Sequence, residues 1–292
     1  MDEQAALALI AADLPAAGDD AAVVDGLVLT TDMLHEATDF PAGTTRYTAG
    51  WRAVGASLSD LAAMGADATA AVAVYAAPAF AEGDLRDFLE GASDVCDVVG
   101  AAYVGGDLDT HEEFTVATTA LGATEDPATR DGASAGDAVC VTGTLGRSAA
   151  ALELFERGDV ERANDLFRFT PRVEAGLALA PRATAMLDSS DGLARSLHQL
   201  ARASDCGVAL ESPLPVDEAV RDVAADEQAV RELAAFFGED FELVFTAPPD
   251  RLDDLRGACD VAITRVGTVT DADSGVTLDG DPLPDRGYTH GE

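Results

Sequence analysis

Aspartate stands beside glycine, serine or threonine in five short stretches: Gly18-Asp19-Asp20, Thr30-Thr31-Asp32, Ser59-Asp60, Gly105-Gly106-Asp107 and Asp188-Ser189-Ser190-Asp191-Gly192. Four of the five adjoin an apolar run that reads as a β-strand. Carboxylates on tight, glycine-bearing turns suit hard divalent cations and the phosphates those cations carry. Gly18-Asp19-Asp20 serves equally as an ordinary turn, while Thr30-Thr31-Asp32 closes a strand with two hydroxyls and a carboxylate. Asp60 is more demanding. It sits in an apolar helical pattern with Leu58 and Leu61, where a lone charge is costly, so it must cap, pair with an arginine or bind a cation. Gly105-Gly106 lets backbone approach a phosphate closely. Residues 188–192 join a strand to a helix, gathering hydroxyls, carboxylates and N-terminal amides, although Ser190 or Asp191 also suits an N-cap.

The balance of charge narrows the functions available. The 292 residues carry 54 Asp and Glu against 18 cations, a formal −36, and every cation is arginine. Nucleic acid and anionic membranes are excluded as main partners, because phosphate neutralisation needs a basic surface. The acidity reads as a halophilic surface, hydrated and screened in concentrated salt. Without lysine there is no Walker A loop and no protein-kinase strand lysine, and no G-x-G-x-x-G supports a dinucleotide fold. A bound nucleotide must therefore rely on metals, arginine and backbone amides. No apolar stretch approaches the roughly 18 residues of a membrane helix, and the acidic start (Met1-Asp2-Glu3-Gln4) lacks the basic residues of a secretory signal; the expected location is the cytoplasm. Cys96, Cys140, Cys206 and Cys259 lie in or beside apolar stretches and read as buried free thiols. His35, His111, His198 and His290 show no metal-ligand spacing and read as structural.

These groups must be positioned by an α/β (α+β) chain. Residues 3–13 read as a short amphipathic helix with Ala5, Leu7, Leu9 and Ile10 on one side. Asp25-Gly26 is a favoured hairpin turn between two strands. A helix spans 45–64 and stops at Gly65, followed by a strand at 69–75, a helix at 82–99, a short strand at 102–104 running into Gly105-Gly106-Asp107, and a strand at 114–121. The polar stretch 124–137 is the natural boundary, giving an N-terminal half, 1–136, and a C-terminal half, 137–292. In the second half strands fall near 138–142, 183–187, 207–210, 241–246 and 261–269, with helices near 146–157, 192–203 and 227–237.

In order along nearly the whole chain, the five aspartate stretches, Ser59-Asp60-Leu61-Ala62-Ala63-Met64-Gly65-Ala66, Val141-Thr142-Gly143-Thr144-Leu145-Gly146 and Gly238-Glu239-Asp240-Phe241-Glu242-Leu243 resemble the thiamine-monophosphate kinase family. That family belongs to the superfamily of aminoimidazole-ribonucleotide synthetase and selenophosphate synthetase. The resemblance implies a two-domain aminoimidazole-ribonucleotide synthetase-like fold and a homodimer whose N-terminal domains form a β-barrel. It also implies ATP and several Mg²⁺ ions in the cleft between domains, and phosphorylation of thiamine monophosphate to thiamine diphosphate. Asp20, Asp32, Asp60, Asp107, Asp188 and Asp191 match the family's metal ligands, with Thr30 and Thr31 adding oxygens. Gly106, Arg130 and Ser190 match ATP contacts; Glu239 and Tyr288 match the thiamine site. Asp39 stands where bacterial members often carry histidine. Selenophosphate synthesis would need a reactive cysteine or selenocysteine with a lysine near the N-terminus, and both are missing. Aminoimidazole-ribonucleotide chemistry and a non-catalytic Mg-nucleotide-binding role remain as alternatives.

Overall fold

Asp25 and Gly26 both take positive φ, 53° and 81°, the two-residue turn whose twist matches that of a strand pair. They join β1 (Ala22–Val24) to β2 (Leu27–His35), with Val24 opposite Leu27. The computed structural model describes residues 3–14 and 16–288; His290 lies outside them. Before the hairpin, α1 spans Glu3–Asp13 and leaves Leu9 and Ile10 exposed. The side chains of Ala5 and Leu7 lie outside the described ones. After β2 come a helical turn α2 (Glu36–Asp39), the long α3 (Arg46–Ala63), β3 (Asp67–Ala77), α4 (Glu82–Val98), β4 (Ala102–Thr110) and β5 (Thr115–Ala123). These strands form one sheet in the order β1-β2-β5-β3-β4, antiparallel except for β3 and β4, which the α4 crossover makes parallel.

The second half runs β6 (Ala138–Thr142), α5 (Arg147–Glu156), α6 (Val160–Phe167), α7 (Val173–Leu179), β7 (Ala185–Asp188), α8 (Leu193–Ala203), β8 (Cys206–Leu210), α9 (Glu218–Val223) and α10 (Glu227–Phe236). It ends with β9 (Leu243–Ala247), α11 (Leu252–Ala258), β10 (Ile263–Asp271), β11 (Val276–Leu278) and β12 (Asp281–Pro282). Its seven strands order as β12-β11-β8-β10-β6-β9-β7. The strands and helices expected from the sequence are present within a few residues. The short helices α6, α7, α9 and α11 carry too few turns to declare a period.

Two expectations need correction. Gly105-Gly106-Asp107 lies inside β4, not on a turn after it. Gly106 sits so close to β3 that a Cβ there would stand 1.7 Å from the Ala73 carbonyl oxygen, so packing alone requires a glycine. Asp32 likewise lies within β2 rather than at its end. Of the thiols, Cys96 and Cys140 are buried, while Cys206 and Cys259 are half-buried, and all four are free. Burial pushes the Cys96 and Cys140 thiols up to about 12.

Helix α3 is the shared wall between the two sheets. Thr45 caps it, accepting from Thr48 N, and nearly all its side chains are buried. Gly50 and Gly91 let α3 and α4 cross backbone to backbone: a Cβ on Gly91 would meet the Tyr47 carbonyl oxygen at 2.0 Å. On its other side α3 packs against α7 and β7, and one apolar core runs from Leu58, Leu61 and Phe88 through Leu179 to Met186 and Phe245. The two sheets therefore fold against each other. Among the described residues no helix is long and apolar enough to cross a membrane.

The seam behind α7 holds a buried ion pair. Arg172 grips Glu242 with both nitrogens, Nε to Oε2 at 2.8 Å and Nη2 to Oε1 at 2.5 Å, and Thr142 Oγ1 donates to the same carboxylate at 2.6 Å. Glu242 is 4% exposed, so removing its partner strands a charge in the core. Arg172→Met is expected to lower stability by about 3 kcal/mol, read as a lower urea midpoint at constant KCl; an unchanged midpoint would show the pair to be dispensable.

Candidate active site

Three carboxylates from three separate segments converge. Asp20 comes from the turn before β1, Asp60 from the last turns of α3, and Asp188 from the end of β7; one oxygen of each lies within 4.8 Å of the others. Asp20 and Asp188 side chains are almost wholly buried. Each carboxylate is held by neighbours. Thr30 Oγ1 donates to Asp60 Oδ2. Ser59 Oγ donates to Asp188 Oδ2 at 2.6 Å, and Ser190 N to Asp188 Oδ1 at 3.0 Å. Arg130 pairs with both oxygens of Asp20, at 2.9 and 3.3 Å, and its backbone N–H bonds Asp19. Asp32 joins from β2, where Ser57 Oγ bridges it to Thr118.

Crowded, desolvated carboxylates resist ionisation. Burial, then the charges of Asp32, Asp188 and Asp20, raise Asp60 well above its ordinary value against the opposing Thr30 bond. Burial raises Asp32 too, against its Ser57 bond. Asp188 is pushed up to about 7 by burial and by Asp20, against the bonds from Ser59 and Ser190. Every donor atom in the cluster is a hard oxygen, the set that suits Mg²⁺ rather than a thiophilic metal.

The remaining expected site residues lie elsewhere in the single chain. Thr31 points to the opposite face of the sheet from Thr30 and donates to the Thr118 carbonyl oxygen at 2.7 Å. Asp107 is exposed; it stands in the row Asp107–Val74–Ala117–Met33 on that same outer face, and Gly106 sits one residue before it. Three strand spacings, about 14 Å, separate β4 from β2. Asp191 accepts from Gln199 Nε2 at 3.1 Å, and its carbonyl oxygen accepts from Tyr288 N.

A second group forms beside the first. Asp39, 7% exposed, accepts from His35 N and Thr38 Oγ1, both at 2.7 Å, and from the Tyr288 hydroxyl at 3.2 Å. Glu239 pairs with Arg52 at 3.0 Å, and its N–H reaches the Ser190 carbonyl oxygen at 2.7 Å. The Gly238–Leu243 stretch is thus a strut as much as a site: Asp240 accepts from the amides of Gly146 and Ser148 at the start of α5, and Glu242 holds Arg172. Sequence reasoning passed over Ser57, Arg52 and the stacked rings of Phe169 and Phe241. A lone arginine inside the apolar α3 pattern was the available signal for Arg52. His35 bonds Thr115 and His198 the Leu283 carbonyl oxygen, both structural contacts.

The mixed α/β, two-sheet fold is that of the AIR synthase related proteins. Their N-terminal domain matches residues 18–124 and their C-terminal domain residues 134–279. The chain is 62% identical to thiamine-monophosphate kinase of Halobacterium salinarum over 99% of its length and all of the relative's, and 40% identical to that of Methanospirillum hungatei over 93% and 92%. The structure of AaThiL complexed with AMPPCP and TMP superposes with a TM-score of 0.90 at 29% identity, covering 99% of this chain and 97% of that one. The chain belongs to the thiamine-monophosphate kinase family.

Should a cation bind the cluster, the raised carboxyl of Asp188 would link its binding to pH. Its folded value lies above the unfolded one near 3.9, so the metal-free fold binds the proton more tightly than the unfolded chain. Its contribution to metal-free stability therefore declines as pH rises from about 4 to about 7, then levels. A bound cation removes that penalty but must first displace the proton. The rise in melting temperature on adding Mg²⁺ is expected to be small at pH 5, to grow to about pH 7 and then to flatten; a rise that is constant with pH would contradict it.

Proposed function

We propose that this chain transfers the γ-phosphoryl group of ATP to the phosphate of thiamine monophosphate, giving thiamine diphosphate and ADP. The observation that carries the reading is the convergence of Asp20, Asp60 and Asp188 beside the loops of Ser190 and Glu239. A phosphate monoester loses its second proton near pH 6, so the attacking oxygen is already an anion and no general base is needed. That oxygen bonds to the γ-phosphorus as the bond to the β–γ bridging oxygen breaks, and ADP departs with that electron pair. The obstacle is repulsion between two polyanions. Mg²⁺, held by Asp20, Asp60 and Asp188 with Asp32 and Thr30 adjoining, would supply the neutralising charge.

The protein's own groups do the rest. Arg130, paired with Asp20, offers a guanidinium fork that matches phosphate oxygens. Ser190 and the bare backbone at Gly106 are assigned to ATP. Asp39, Glu239 and Tyr288 are assigned to thiamine, whose cationic ring suits carboxylates and an aromatic face. Asp39 then works through its carboxylate where a histidine is usual. Asp191 and Thr31 are kept as ligands, Thr31 on the outer face that it shares with Asp107. The division at 136/137 and a cytoplasmic setting belong to the same reading.

The homodimer is likewise proposed from the open N-terminal sheet. Its outer face exposes Leu27, Leu29, Met33, Val72 and Val74, from 36 to 54%, a face that water does not favour. Its two edges are β1, which Asp20 precedes, and β4, which carries Asp107. Closing two copies edge to edge into a barrel sets β4 of one beside β1 of the other, and so sets Asp107 near the second copy's carboxylate cluster.

The test is product formation by purified protein in concentrated KCl with MgATP, with and without thiamine monophosphate. ADP and thiamine diphosphate that depend on both substrates are expected; ATP binding without that product would assign the acceptor to another substrate. Asp60→Asn and Asp107→Asn are each expected to cut turnover on the order of a hundredfold. Mixing the two inactive variants under exchange should restore activity, because a mixed dimer then contains one intact site; no recovery would place Asp107 in its own chain's site.

A further inference from the structure

Arg52 is a buried cation that no step of the reaction calls for. It projects from the middle of α3, is 3% exposed, and lies over the Phe167 ring at 3.5 Å from the centroid. Phe169 and Phe241, stacked on each other at 4.1 Å, complete the cage. Its nitrogens donate to the Phe167 carbonyl oxygen, to Ser148 Oγ at 3.2 Å and to Glu239 Oε2 at 3.0 Å. Such withdrawal of a guanidinium from water is costly unless opposite charge repays it. Glu239 is the first of the charges that do so, followed by Asp240 and Asp39.

Glu239 is itself held in an unfavoured state. Its φ is +57°, and that of Phe241 is +53°, each costing an L-residue on the order of 1–2 kcal/mol. Three contacts over-determine it: Arg52 on the carboxylate, the Ser190 carbonyl oxygen on its N–H, and Ser148 Oγ donating to its carbonyl oxygen at 2.6 Å. Arg52 therefore fixes a strained carboxylate from the same helix that carries Asp60. The two residues are eight apart, about 12 Å along the axis.

We propose that Arg52 is a positioning residue for the acceptor: it fixes the Glu239 carboxylate, and partly neutralises it, where the cationic thiazolium of thiamine monophosphate docks. The inference rests on the reading of Glu239 as a thiamine contact. Glu239, Asp240 and Asp39 all act on the one guanidinium, so carboxylates outnumber cations here, which suits a cationic thiazolium. Because α3 is rigid, Arg52 and Asp60 together set the span between the ring end and the phosphoryl end of the acceptor.

The test is steady-state kinetics of Arg52→Lys, Arg52→Met, Glu239→Gln and the Arg52→Met/Glu239→Gln double variant, with melting temperatures alongside. Arg52→Met and Glu239→Gln are each expected to raise KM for thiamine monophosphate about tenfold while KM for ATP stays within about twofold. The double variant should be no worse than either single one, since the two side chains act as a unit, and Arg52→Lys should recover part of the loss. Additive effects, or an Arg52→Met variant with lowered melting temperature and unchanged KM, would overturn the positioning role while leaving Glu239 in place. An unchanged KM in Glu239→Gln would remove the site reading itself, and the proposal with it. If Arg52→Met does not fold, Arg52→Lys decides: lysine keeps the charge but loses the planar fork that spans Glu239, Ser148 and the Phe167 carbonyl oxygen, so a raised acceptor KM is expected and an unaltered one would contradict the role.

Discussion

Everything at the seam of this molecule follows from holding like charges together out of water. Three carboxylate oxygens within 4.8 Å repel by on the order of 3 kcal/mol per pair at an effective dielectric constant of about 20. A fold selected for stability alone would not assemble them. Thr30, Ser59, the Ser190 amide and Arg130 each offset part of the cost, and Asp188 answers the rest by holding its proton to about pH 7. A divalent cation held there, as proposed, would relieve repulsion that the chain has already accepted.

Such an arrangement survives only on a stiff frame, and α3 supplies it. The glycine crossing with α4 fixes one side and the continuous core beneath α7 the other. One helix consequently positions Arg52, Ser57, Ser59 and Asp60. The loops it faces, 188–192 and 238–242, are bonded to each other through the Glu239 amide and the Ser190 carbonyl oxygen. The residues proposed as acceptor contacts and cation ligands therefore cannot shift independently, which suits phosphoryl transfer, where in-line placement contributes much of the rate.

The sequence announced some of this through physical conflicts and missed what depends on register. Asp60 was legible because a charge in an apolar helical pattern demands a partner. Asp25-Gly26 was legible because few other pairs take two positive φ values. Gly105-Gly106-Asp107 misled: two glycines look like a turn, yet they lie in an edge strand, and Gly106 is required by contact with β3. Which face Asp107 and Thr31 occupy depends on strand pairing across four strands, invisible to local pattern. Arg52 and Arg172 were not singled out because an arginine's meaning lies in its distant carboxylate, Glu239 or Glu242. Strands β1 to β5 form one sheet and β6 to β12 another, but the shared core along α3 could not be read from composition.

The central claim is that the clustered carboxylates hold the cations that neutralise the transferred phosphoryl group. Anomalous diffraction from crystals grown with Mn²⁺ and a non-hydrolysable ATP analogue tests it most directly. The account predicts peaks bonded to Asp20, Asp60 and Asp188, with the analogue's terminal phosphate on the same ions. Peaks confined to surface carboxylates, with the cluster bonded only to water and Arg130, would contradict it.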